Sequence, residues 1–159
     1  MNHKTKPVRL LAAGITAGIT AGLFFLAAPV FAGDKEDYEA KVKQNDATIG
    51  VIAGVINYVC PKIAPANSPI CATQDPVKKA VDLATYIDQG KEVQSQPAAD
   101  QFFDAVEQFK QHYPLRDRAK NYAKKADFKN AFGYEEYAFQ YLVKTATHGI
   151  AAKTIVDGR

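Results

Sequence analysis

The chain has no tryptophan, a single methionine at the initiator position, two cysteines and three histidines. No Cys-x-x-Cys-His run occurs, which excludes covalent c-type haem. Beyond the initiator there is no methionine to serve as a metal or haem ligand. Neither a Gly-x-Ser-x-Gly nucleophile turn nor a phosphate-binding glycine loop is present. Glu135 and Glu136 are adjacent, so on a helix they diverge and cannot form a catalytic carboxylate pair. Internal repeats and low-complexity tracts are also missing. The sequence therefore offers no catalytic candidate and no metal-binding motif.

Charge is missing from one place in particular. The first nine residues hold Lys4, Lys6 and Arg9 and no acid, and Leu10 to Ala28 carries no charge at all. The run ends in Ala28-Pro29-Val30-Phe31-Ala32-Gly33, with small or short residues at the two positions a signal peptidase reads. A basic flank, an apolar run and a small-residue exit predict a secretory signal over residues 1–32, cleaved to leave one domain over 33–159. The competing reading is a retained anchor, since Gly14, Gly18 and Gly22 form a helix-pairing stripe. The basic flank precedes the run in both cases, so the domain is expected in the periplasm or outside the cell.

Removing the signal leaves 17 basic and 17 acidic side chains, unevenly placed. Gly33 to Phe109 holds 7 basic and 12 acidic residues, and 110–159 holds 10 basic and 5 acidic. Either the halves attract each other within the fold or the basic half faces an anionic partner.

Apolar residues recur at helical spacing, and no alternating strand pattern persists. The pattern predicts an all-α bundle of about five helices. The first runs from Lys35 to Cys60, ends at Pro61, and is apolar on almost every side from Ala47, which predicts the most buried element. A proline loop follows. Asp75-Pro76 opens the second helix and Gly90 stops it. Ser95-Gln96-Pro97 opens the third, with Phe102, Val106, Phe109 and Tyr113 on one face, and Pro114 is expected to stop it. A fourth covers Leu115 to about Phe128, and a fifth covers about Tyr134 to Val156, loosened at Gly149.

Cys60 and Cys71 flank the proline loop with ten residues between them. In an oxidising compartment such a pair predicts a disulfide. A redox pair would want two intervening residues, and no histidine lies near either cysteine. His112 and His148 stand on different helices. They could ligate a b-type haem or a metal, but a surface histidine and a packed one is the preferred account. Gly50-x-x-x-Gly54 predicts close approach of a neighbouring helix of the same chain, with a homodimer seam as the alternative.

The candidate interaction surface is basic and tyrosine-rich. It comprises Arg116, Arg118, Lys120, Lys124, Lys125 and Lys129, followed by Tyr134, Tyr137 and Tyr141. Such a surface can bind nucleic acid, but export argues against that partner. An acidic protein, an anionic lipid or a cell-wall polymer fits the compartment. The tyrosines at i, i+3 and i+7 also fit the edge of a helical core.

Several points between Ile49 and Pro114 carry a resemblance. These are Gly50-Val51-Ile52-Ala53-Gly54-Val55, Cys60, Cys71 ahead of Thr73-Gln74-Asp75-Pro76, Tyr86, Pro97-Ala98-Ala99 and Tyr113-Pro114. This stretch resembles the exported immunity proteins that protect against amidase toxins of type VI secretion. The chain departs from that family at Leu115, where a further cysteine usually stands, and it lacks an early helical cysteine. The resemblance implies a periplasmic, all-helical, often dimeric protein with no catalytic residues of its own. Such a protein blocks a partner enzyme by covering its cleft. Two further readings stand beside it: an envelope-associated binding or structural protein, and a haem- or metal-binding bundle.

Overall fold

The computed structural model describes residues 33–158. The signal or anchor expected over residues 1–32 lies outside them. Four helices make up the described chain: α1 (Asp34–Ile63), α2 (Pro76–Asp88), α3 (Gln96–Ala123) and α4 (Phe128–Asp157), with a short 3₁₀ turn at Pro69–Cys71. No strand occurs among the described residues, as the apolar spacing predicts.

Local sequence chemistry places most of the ends. Asp75 accepts hydrogen bonds from Val77 N and Lys78 N at the start of α2, and Ser95 accepts from Ala98 N at the start of α3. Gly90 adopts φ +65 just beyond α2, a left-handed conformation that suits glycine.

Two of the prolines behave differently from expectation. Pro114 does not end a helix; the two helices predicted on either side of it are one, so the bundle has four helices. Proline removes one backbone hydrogen bond and clashes with the preceding turn, a cost of about 3 kcal/mol. Packing outweighs it here: Phe109 and His112 are buried before Pro114, Ala119 is buried after it, and Arg116 is tied to α4. Pro61 likewise sits inside the last turn of α1. Gln94 finishes that end, donating from its backbone N–H to Ile63 O and from its side chain to Pro61 O and Ala64 O. The predicted helix over Leu115–Phe128 breaks instead at a turn where Ala126 takes φ +59. Asp127 caps α4 by accepting from Asn130 N, so α4 begins six residues before Tyr134. Gly149 is buried within unbroken helix.

α4 is the centre of the bundle, packing along both α1 and α3. Pairs Asn45–Glu135, Gly149–Val55 and Tyr58–Asp157 show α1 and α4 running parallel. Pairs Gln101–His148 and Arg116–Glu135 show α3 antiparallel to α4. α2 closes the bundle against α1 and α3. The core holds Ile52, Val59, Ile63, Leu83, Phe102 and Leu142.

α1 is not buried on all sides. Its inward face is Asn45, Thr48, Ile52, Ile56, Val59 and Ile63, while Ala47, Gly50, Gly54 and Asn57 are exposed. Gly50 and Gly54 do not receive a neighbouring helix: a Cβ built on either meets nothing within 4 Å. Hydropathy alone cannot reveal this, because an uncharged helix face reads the same whether covered or bare.

Cys60 and Cys71 are joined, with Cα atoms 5.8 Å apart. The bond staples the end of α1 to the turn ahead of α2. Unfolded, unreduced protein is expected to show no free thiol. Reduction, or the pair Cys60→Ala and Cys71→Ala, is expected to lower stability by about 2–4 kcal/mol in denaturant titration. Among the described residues no helix is long and apolar enough to cross a membrane, and a disulfide fits an oxidising compartment.

Candidate interaction surface

The end of α3, the turn at 124–127 and the start of α4 form a hairpin tip that gathers most of the predicted surface. Arg118, Lys120, Lys124, Lys125 and Lys129 are all exposed. Among the described residues none of these five forms an ion pair; the ion pairs involve other cations. Lys129 lies in the first turn of α4, where the helix dipole disfavours a cation.

Aromatic rings stiffen this tip. Tyr122 stacks on Tyr134 with ring centroids 5.4 Å apart, and the Arg118 guanidinium sits 5.9 Å from the Tyr134 centroid. Tyr137 is 58% exposed. Tyr141 is half-buried, with the Lys144 ammonium over its ring. The three tyrosines thus divide, Tyr134 anchoring the hairpin and Tyr137 facing solvent.

Arg116 does not belong to the surface. Its side chain is only 14% exposed; Nε donates to the fully buried Glu135 carboxylate at 3.0 Å and Nη1 reaches Asp46 at 2.8 Å. Asn45 completes the cluster, donating Nδ2 to the Glu135 backbone oxygen and carboxylate. Glu136 points elsewhere, pairing with Lys41 at 2.5 Å, so the two glutamates diverge as expected. Among the described residues only Arg116–Asp46 and the local Lys110–Glu107 join a cation of the basic half to an acid of the other. Internal attraction between the halves therefore neutralises little of the basic excess.

His112 and His148 do not share a site. His148 Nδ1 meets Gln101 Oε1. Gln101 lies eleven residues before His112 on α3, about 16 Å along the helix at 1.5 Å per residue. His112 is buried against Phe109 and Tyr113, with Nδ1 on the Phe109 carbonyl. Among the described residues no three His, Cys, Asp or Glu side chains are grouped to hold a metal. The apolar gap between the helices, lined by residues such as Ile52, Val106 and Ala146, has a volume of about 20 Å³, room for about one water molecule.

A clasp at the opposite end escaped the sequence reading. Tyr58 Oη donates to Asp157 Oδ1 at 2.5 Å, Lys62 reaches the same oxygen at 3.3 Å, and Lys153 binds Oδ2. Both ammonium groups lie over the Tyr58 ring. No local motif encodes it, because Tyr58 and Asp157 are 99 residues apart. The Lys153 and Tyr58 hydrogen bonds pull the Asp157 carboxyl down to about 2 from its usual 3.8. Its stabilising effect is complete above the unfolded value and is lost as pH falls toward 2. Burial pushes the His112 pKa below 6.5, so unfolded chain takes up that proton first and stability also declines as pH drops below 6.5. Melting temperature is expected to fall on acidification in both windows. Asp157→Asn should flatten the lower part of the profile and His112→Gln the upper part.

No family model, curated protein or solved structure matches the chain.

Proposed function

We propose that this is a non-catalytic binding domain of the periplasm or extracellular space that holds an acidic protein surface on its α3–α4 hairpin tip. One observation carries the reading: five exposed cations outnumber Asp117 and Asp127 on an aromatic-packed hairpin, and among the described residues none of the five forms an ion pair. Unneutralised charge of one sign steers and registers an oppositely charged partner. Tyr137 adds an exposed ring of the kind enriched at protein interfaces. The disulfide supports the compartment.

The resemblance between Ile49 and Pro114 supplies the partner class in this reading, a periplasmic enzyme toxin whose cleft the domain covers. The tip lies outside that stretch, so it would be this chain's own addition to the immunity mode. The test is capture from a periplasmic extract on the immobilised domain, in parallel with a tip-reversed variant and across a salt gradient. An acidic protein held only by the unaltered domain and released by salt supports the proposal. Sedimentation with envelope fragments in place of protein capture would favour the anionic lipid or polymer instead.

A further inference from the structure

The outer face of α1 is a long uncharged strip. No charged residue occurs between Asp46 and Lys62, and Ala47, Gly50, Gly54 and Asn57 stand exposed along it. At Gly50 and Gly54 the helix backbone is bare, so another helix can approach it closely. A second, independent feature lies at one end of the strip. Lys79 of α2 is only 7% exposed, and its ammonium has one protein partner, the neutral Asn57 Oδ1 at 2.7 Å. A buried ammonium without a carboxylate calls for an anion. At the other end stands Asp46, with its side chain 61% exposed and one oxygen on Arg116.

These features are self-complementary. We propose that two copies of this chain pair through this face, their α1 helices antiparallel and Gly50 of each against Gly54 of the other. A two-fold axis in that register sets Asn57 opposite Ala47 and Tyr58 opposite Asp46. The Lys79 ammonium, already resting on Asn57, then comes beside the Asp46 carboxylate of the second copy. The axis repeats the contact, so one dimer makes it twice. The pairing stands independently of the hairpin's function, and it has a geometric result. Because α1 runs parallel to α4, the two basic tips fall at opposite ends of the dimer.

Light scattering across a concentration series is expected to give twice the mass of the single domain. Gly54→Arg places a charged side chain where the monomer has open space. It should therefore yield monomer with unchanged helicity and melting. Lys79→Glu and Asp46→Lys should each weaken self-association at least tenfold by setting like charges together. Mixing the two variants in equal amounts should restore the dimer, since both contacts in the mixed pair are then opposite in sign. A parallel arrangement gives no such rescue. Monomer at millimolar concentration, a dimer that survives Gly54→Arg, or a mixture that stays monomeric would each overturn the proposal. Where Lys79→Glu loses helicity, Gly54→Arg decides alone.

Discussion

Replacing Arg116 with leucine is expected to destabilise the domain by about 3–5 kcal/mol in urea titration, the cost of stranding a buried charge. Glu135 is fully buried, and its carboxylate has two partners, Asn45 Nδ2 and Arg116 Nε. Removing the guanidinium leaves a carboxylate in the interior with one neutral donor. The double change Arg116→Leu with Glu135→Leu removes both charges, and most of the loss should return, since apolar residues of similar volume often replace a buried pair without penalty. Asn45 still keeps its bond to the backbone oxygen of residue 135. A single-variant loss under about 1 kcal/mol would show that solvent reaches Glu135 and that the cluster is not a lock. The same variant separates Arg116 from its neighbours in sequence, because Arg118 and Lys120 should tolerate leucine with little change.

The second large effect concerns binding. Reversing Lys120, Lys124 and Lys125 to glutamate should abolish partner binding and leave the melting temperature nearly unchanged. All three are exposed and none forms an ion pair among the described residues, and such positions shift stability by only about ±0.5 kcal/mol each. Binding of the unaltered domain should also weaken as salt is added, because screening acts within about 8 Å at physiological ionic strength. If these lysines instead balanced the acidic half of the chain, the pattern would reverse: a lower melting temperature, with binding intact below it. Measuring both quantities on one protein separates the accounts.

The sequence made the all-helical class, the caps at Asp75 and Ser95 and the disulfide legible, because each depends on nearby residues. It misled where distant packing overrides a local signal. Pro114 reads as a stop, and only contacts made by Arg116 and Ala119 with the rest of the bundle carry the helix through it. The turn before α4 is hidden because Ala126, not glycine, takes the left-handed conformation. For the surface, composition picked out a set of cations but could not sort exposed from buried. Arg116 and Arg118 are two residues apart, yet a helix turns about 200° between them. One side chain therefore enters the core cluster and the other meets the Tyr134 ring.

The parallel pairing of α1 with α4 also sets an order of assembly. Contacts within the α3–α4 hairpin close short loops; Arg116 and Glu135 are 19 residues apart. Contacts between α1 and α4 span 90 to 99 residues. Non-local contacts of that kind are slow to form, because the intervening chain must be ordered before they repay its entropy. The hairpin can therefore form early, while α1, the first of the described helices in chain order, waits for α4. A chain that emerges or is threaded from its N-terminus cannot complete this core until Phe128–Asp157 has arrived.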